Sequence, residues 1–228
     1  MQRRNFTTGV FFSGGLWAVA APVRAEVTEM DAASGIRAAL QRGAESAVGM
    51  LGKADGFAGN PLVRISLPGF LNEVAKVAKY TGQQAKVDEL VTAMNRAAEA
   101  AVPEAKTLLV NAVKNMSVSD AKRVLTGGEG SVTAFFAEKT RAALSTKFLP
   151  IVTKATDKVA LAEKYNALAG KASSMGLMRK EDANIQQYVT GKTLDGLYLM
   201  IGEEEKKIRR DPIGTGSAIL KKVFSSLK

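Results

Sequence analysis

The chain has 228 residues, of which 46% are hydrophobic and 6% aromatic, and its formal net charge is +10. Such a chain can bury one sizeable core, and its richness in alanine, leucine, lysine and glutamate favours helices over strands. It contains no cysteine and no histidine, which excludes disulfides, thiol nucleophiles, zinc-finger sites and catalytic triads that depend on histidine.

The first 25 residues are typical of an export signal. Arg3 and Arg4 precede a modest apolar run, and small residues suit cleavage after Ala25. The letters QRRNF at 2–6 resemble the twin-arginine export motif, and an ordinary secretory signal with two chance arginines is the alternative. We therefore predict that residues 1–25 are a signal peptide and that the mature protein is periplasmic, with no transmembrane segment after cleavage.

The mature chain remains basic. Residues 1–25 contain three arginines and no acid, so 29 basic and 22 acidic residues leave a net charge of +7. A basic exported protein can touch an anionic membrane surface or an envelope polyanion, although a generally solvated surface is the simpler interpretation. Nucleic acid is a poor partner for an exported protein, and we predict none.

Residues 26–228 are predicted to form a single all-α domain, an irregular bundle of about eight helices. Apolar residues recur at three- and four-residue steps along almost the whole chain. Glycines and prolines interrupt the pattern in 52–68, which is predicted to be an ordered loop, and Pro103 and Pro150 are expected to break or kink helices. The helical segments cover about 34–51, 68–81, 87–101, 104–116, 117–127, 135–170 with a kink or a new start at Pro150, 182–188 leading into 193–211, and 217–227.

The segment TLDGLYLMIGEEEKKIRRDP, at 193–212, is predicted to be the central helix. Its apolar residues share one face, and Glu203 with Lys207 and Glu205 with Arg209 have the spacing of stabilising ion pairs. The helix should end before Pro212, since the residue preceding a proline avoids helical angles. Beyond it, 213–228 is expected to be a loosely attached C-terminal helix.

Five segments together resemble one bacterial family, catalogued as domain of unknown function 4197. They are GNPLVRISLP at 59–68, NRAAEAAVPEAK at 95–106, FLPIVTKATDKV at 148–159, YNALAGKA at 165–172 and LDGLYLMIGEEEKKIRRDP at 194–212. The resemblance implies an exported, all-helical protein of Gram-negative bacteria and supplies no activity. Many members carry a lipobox cysteine, which this chain lacks, so a soluble periplasmic form is implied.

Charged residues in apolar or small-residue surroundings form the candidate binding site. Arg64, Arg96, Glu99 and Glu204 are predicted to meet in the interior, and Glu205 is a further candidate because it lies beside the apolar stripe of the central helix. A buried carboxylate and guanidinium must pair or cost several kcal/mol. The resulting network is either structural or lines a polar pocket.

The sequence favours binding over catalysis. Three consecutive glutamates on a helix fan out over about 300° and cannot converge on one ion, so we predict no metal, no cofactor and no catalytic residue. A helical bundle lined by methionine and phenylalanine can hold an acyl chain. We therefore predict a non-enzymatic binding protein for an amphipathic or apolar ligand such as a lipid. The alternatives are an envelope protein interaction module and a carboxylate-dependent hydrolase.

Overall fold

A computed structural model of the protein describes residues 29–69, 79–174, 176 and 184–211. These residues form α-helices and turns and contain no strand, which confirms the all-α class. The helices are α1 (Glu29–Leu51), α2 (Gln84–Ala101), α3 (Ala105–Lys114), α4 (Val118–Thr126), α5 (Ser131–Thr156), α6 (Ala160–Ser174) and α7 (Ile185–Arg210), and a 3-10 turn (Val102–Glu104) joins α2 to α3. Over this part of the chain the helices are fewer than the eight predicted.

Two predicted interruptions are absent, and a break at 157–159, where the sequence predicted continuous helix, separates α5 from α6. Pro150 lies inside α5, because Phe148 and Val152 on either side of it are fully buried and their packing outweighs the one backbone hydrogen bond that a proline removes. The brief helix predicted at 182–188 is the first part of α7. The break at Pro103 is confirmed, since Pro103 lies in the 3-10 turn.

Some predictions fall on residues outside the described ranges. They are the signal peptide at 1–25, most of the helix at 68–81, and the C-terminal helix at 213–228. The boundaries of the domain therefore stay predictions. No helix within the described ranges has the length and hydropathy that crossing a membrane requires.

Polar side chains fix where two of the helices begin. The Asn184 side-chain oxygen accepts from the backbone N–H groups of Gln186 at 2.8 Å and Gln187 at 3.1 Å, and so caps α7. Ser117 and Asp120 form the capping box that the sequence predicts for α4. Both caps satisfy donors that a helix N-terminus would otherwise leave without partners.

The predicted central helix lies within α7, which packs most extensively against α5 and then α1, and α5 is packed still more extensively than α7. Its buried residues extend from Ile185 to Glu205 and join buried side chains of the other helices in one apolar core. Tyr198 crosses this core to α5, where its hydroxyl and that of Thr140 lie 2.9 Å apart. Burial raises the pKa of Tyr198, so this phenol stays protonated at neutral pH.

Candidate functional site

Glu99, in the middle of α2, attaches the loop 52–69 to that helix. Its side chain is 5% exposed. Its Oε1 accepts from the backbone N–H groups of Phe57 and Ala58, each at 3.0 Å, and its Oε2 accepts from Arg96 Nη1 at 2.6 Å. Arg96 also donates to Asp55 Oδ1 at 2.8 Å. These groups are called the Glu99 clamp, and within it both carboxylate oxygens have hydrogen-bond donors.

The charges of the Glu99 clamp stabilise one another. The pKa of Arg96 is raised, first by its hydrogen bond to Glu99 and then by its hydrogen bond to Asp55. Asp55 has a φ of 62°, in the left-handed region that aspartate adopts more readily than most residues. The loop therefore turns at Asp55 and directs the next backbone N–H groups at the Glu99 carboxylate.

Asn95 holds the extended part of the same loop. Its Oδ1 accepts from Ile65 N and its Nδ2 donates to the Ile65 carbonyl, both at 2.9 Å. The buried amide makes the two hydrogen bonds to the Ile65 backbone that a neighbouring strand would make. The Tyr188 hydroxyl donates to the Ser66 carbonyl at 3.0 Å, which attaches the loop to α7 as well. Sequence analysis missed Asn95, although an asparagine on a helix face of alanines is a signal of a buried amide.

Glu205, on α7, has a second clamp of different construction. It is 4% exposed, and its Oε1 accepts from Arg209 Nε at 2.8 Å and from Ser131 Oγ at 3.4 Å. Arg209 Nη2 donates to the Val124 carbonyl at 2.9 Å and to Ser131 Oγ at 3.0 Å. We call these groups the Glu205 clamp. It joins α7 to the end of α4 and the start of α5.

The other oxygen of Glu205 lies beside a small apolar cavity. Among the described residues Oε2 has no hydrogen-bond partner. The cavity has a volume of about 30 Å³, room for about one or two water molecules. Apolar side chains dominate its walls, namely Ile36, Ala39, Leu40, Val124, Leu125, Val132 and Ile208. An acyl chain does not fit in it.

The residues of the predicted polar network do not all meet in the structure. Arg96 and Glu99 meet as predicted. Arg64 is exposed, because it lies between the buried Val63 and Ile65 on an extended segment whose side chains alternate. Among the described residues it donates only to the Ala58 carbonyl, at 3.5 Å. The interior therefore receives the two apolar neighbours of Arg64 and excludes its charge.

The three consecutive glutamates of the central helix bind three different partners. Glu204 is about one helical step of 100° from Glu205 and binds Lys207 at 2.6 Å. Glu203 binds Lys206 at 2.8 Å, which lowers the pKa of Glu203 mainly through this hydrogen bond. The predicted pair of Glu203 with Lys207 is therefore wrong, and that of Glu205 with Arg209 is confirmed.

A groove of about 890 Å³ lies between α5 and α7 and is called the α5–α7 groove. It is lined by Ala137, Glu138, Arg141, Ala142, Ser145 and Leu149 of α5 and by Gln187, Tyr188, Thr190, Gly191, Lys192, Leu194 and Asp195 of α7. A recess of about 290 Å³, formed by the loop residues 62–66 and by α7, adjoins it and shares Tyr188, Lys192 and Asp195. Of these lining residues, only Arg64, in the recess, was predicted as a site residue.

Ion pairs and cation–π contacts involve several residues that line the α5–α7 groove, and those of Arg141 cross it. Arg141 binds Asp195 at 2.6 Å, and its guanidinium carbon lies 5.3 Å from the centre of the Tyr198 ring. Glu138 accepts from Lys139 and Arg123, and the hydrogen bond from Lys139 is the main cause of its lowered pKa. Lys192 Nζ lies 5.8 Å from the centre of the Tyr188 ring. The groove thus combines apolar, aromatic and charged groups along one face.

Clusters suited to a metal ion are not found among the described residues, where no three acidic side chains converge. The carboxylates described above instead bind arginine, lysine or backbone N–H groups. In this part of the chain the chemistry that the geometry supports is recognition by hydrogen bonds and apolar contact.

The sequence was compared with known families and proteins. A family model described as "Protein of unknown function (DUF4197)" matches residues 26–225. No curated protein matches the chain. No solved structure matches it either.

Proposed function

The chain belongs to the DUF4197 family of unknown function, and we propose that it is a non-enzymatic binding protein for an amphipathic ligand held in the α5–α7 groove. The observation that carries this proposal is the size and lining of the groove. Ligand pockets commonly measure about 300 to 1,000 Å³ and combine apolar walls with a few polar groups. The groove, at about 890 Å³, has both properties.

The two sides of the groove suit the two parts of an amphipathic molecule. Ala137, Ala142 and Leu149 give α5 an apolar wall, and Leu149 keeps about a third of its surface exposed there. Lys192 and Asp195 on α7 supply charge at the point where the groove meets the loop recess. A chain that follows the apolar wall would place its polar end near these two residues.

Mass spectrometry under native conditions tests the proposal. Protein purified from the periplasm of its own host should carry a bound amphipathic molecule, and Gly191→Leu should lose it. A Cβ at Gly191 would meet no atom within 4 Å, so the leucine side chain would start in open space beside the groove, and leucine is a better helix former than glycine. The folded protein should therefore remain at least as stable.

The matched control is Gly49→Leu. Gly49 is an exposed helical glycine on α1 that also has open space around its Cα, and it does not line the groove. This variant should keep the bound molecule. A native mass identical to that of the bare polypeptide in the wild type, or a ligand that survives Gly191→Leu, would contradict the proposal.

An envelope partner protein is the second candidate. Leu62 and Leu199 line the loop recess while remaining 62% and 42% exposed, which is unusual for large apolar side chains beside a concave surface. Crosslinking from position 199 in intact cells would capture such a partner. The hydrolase alternative gains no comparable observation, because Glu99 is fully engaged by donors and Glu205 faces a cavity of water size.

The periplasmic location is part of the proposal and rests on the sequence of residues 1–25. Cell fractionation should recover a mature protein that begins at Glu26. Full-length protein in the cytoplasm would contradict it.

A further inference from the structure

We propose that the α5–α7 groove selects amphiphiles with a single anionic head, a fatty carboxylate, and that Lys192 binds this head. The inference rests on the proposed ligand function and specifies the class of ligand. It follows from a count of the charges that line the groove. Glu138, Arg141, Lys192 and Asp195 are the charged groups there.

Three of these four charges already have partners of opposite sign. Arg141 and Asp195 bind each other at 2.6 Å, and Glu138 binds Arg123 at 3.2 Å and Lys139 at 3.0 Å. Lys192 has no carboxylate within 4.0 Å among the described residues, although Asp195 follows it by three positions on the same helix. The preference of Asp195 for Arg141 leaves the Lys192 ammonium available for an anion.

The position of Lys192 suits a head group. It lines both the α5–α7 groove and the loop recess, so its ammonium lies where the two concavities join. The Tyr188 ring beside it offers an aromatic face, and the Ala142 and Leu149 wall continues away from it along α5. A carboxylate at Lys192 could thus extend its chain along the apolar wall.

The number of donors favours a carboxylate over a phosphate. Phosphate sites usually combine several arginines, lysines or backbone N–H groups. Within the groove, Lys192 supplies the one ammonium that has no carboxylate partner among the described residues, and Arg64 lines only the adjoining recess. One unpaired cation matches the single charge of a carboxylate.

Titration calorimetry with three amphiphiles of equal chain length, each below its micelle concentration, tests the inference. The probes are dodecanoate, uncharged dodecyl maltoside and cationic dodecyltrimethylammonium. Wild-type protein should bind dodecanoate about tenfold more tightly than dodecyl maltoside, the effect of about one charge-assisted hydrogen bond. High salt should weaken the binding of dodecanoate but not that of the maltoside.

Variants test whether Lys192 causes the preference for dodecanoate. Lys192→Met should remove the preference for dodecanoate, Lys192→Arg should keep most of it, and Lys164→Met, an exposed lysine of α6 outside the groove, should leave it unchanged.

The outcomes separate this inference from the proposed function. Equal binding of dodecanoate and dodecyl maltoside, unaffected by Lys192→Met, would overturn the choice of head group and leave the groove as a binding site. Binding of no dodecyl compound would overturn both. Binding of anionic vesicles that is unchanged in Gly191→Leu and Lys192→Met, without binding of free dodecanoate, would assign anion recognition to the general basic surface and overturn the role of Lys192.

Discussion

The Glu99 clamp and the Glu205 clamp each bury one carboxylate beside one arginine, yet their donors differ in kind. Glu99 accepts from two backbone N–H groups of the loop as well as from Arg96. Glu205 accepts only from side chains, and one of its oxygens has no partner among the described residues. A mutation can remove side-chain donors but not backbone donors, so the two clamps should respond differently to substitution.

The largest effect is expected at Glu99. Glu99→Ala leaves the N–H groups of Phe57 and Ala58 without their acceptor beneath the loop, and the free energy of unfolding should fall by about 3 to 5 kcal/mol. Urea denaturation followed by circular dichroism measures this change. Glu89→Ala, at an exposed position of the same helix, is the control and should leave the midpoint in place. A similar midpoint for both variants would show that the loop does not depend on the carboxylate.

The second largest difference is expected when the glutamate and the arginine of a clamp are replaced together. Glu205→Met alone leaves the Arg209 guanidinium largely buried without its anion, and we expect a loss of about 3 kcal/mol. Adding Arg209→Met should recover most of that loss, since the new side chains can pack against the apolar cavity. The pair Glu99→Met and Arg96→Met should show no such recovery, because the backbone donors remain.

A double-mutant cycle by urea denaturation measures both recoveries. Equal recovery at the two clamps would mean that the backbone hydrogen bonds of Glu99 contribute little. Absence of recovery at Glu205 would mean that Arg209 holds α4 and α5 in place without needing its carboxylate, through its bonds to Val124 and Ser131.

Two glycines of α7 allow the packing beneath the loop 52–69 to be compared with the packing in the α5–α7 groove. A Cβ at Gly196 would lie 2.8 Å from Phe57 Cε1 and 3.2 Å from Val63 Cβ, so Gly196→Ala should cost about 1 to 3 kcal/mol. At Gly191 the same change meets no atom and should stabilise the protein by up to about 1 kcal/mol. Melting temperatures compare the two variants. A stabilising Gly196→Ala would show that the loop shifts easily.

The smallest effect concerns Asp120, a partly buried carboxylate that belongs to neither clamp. The hydrogen bonds from Ser117 lower the pKa of Asp120 below its ordinary value. A carboxylate with a lowered folded-state pKa stabilises the protein above its unfolded pKa, about 3.9, and this contribution is lost as pH falls through the folded value. The wild type should therefore lose stability in this acid range, and Asp120→Asn should lose less.

Urea midpoints measured at pH 6 and pH 3 test this difference. Ser117→Ala should lower stability by about 1 kcal/mol at pH 6, because it removes the hydroxyl that caps α4. Identical pH dependence in wild type and Asp120→Asn would mean that the capping box does not contribute to acid sensitivity.

The sequence predicted most of the helices and, in each clamp, the pairing of the glutamate with its arginine. It predicted that Arg96 and Glu99 pair, because both lie among alanines, and that Glu205 pairs with Arg209, because four residues separate them. It placed Arg64 and Glu204 in the same network, which the structure excludes. The error at Arg64 concerns which side of an extended segment faces the core, and a few residues of pattern leave that side open. The Glu204 side chain is only 14% exposed, but it pairs with Lys207 of its own helix instead of joining Arg96 and Glu99.

The groove could not be predicted at all. Its walls come from α5 and α7, more than forty residues apart in sequence at their contacts, such as Arg141 with Asp195. Either helix alone shows only an ordinary exposed face. The space between them depends on the angle and distance at which buried residues such as Thr140 and Tyr198 hold the two helices together.

The sequence by itself determined the all-α class, the amphipathic helix within α7, the cap of α4 and the break at Pro103, because each depends on residues within about one or two turns of chain. Only the tertiary structure decided that α5 continues through Pro150, that Asn95 and Glu99 accept from backbone N–H groups of the loop, and that Lys192 has no carboxylate partner among the described residues around the groove. The physical reason is the same in each case: burial and pairing depend on groups brought together from distant parts of the chain, and local periodicity carries no information about them.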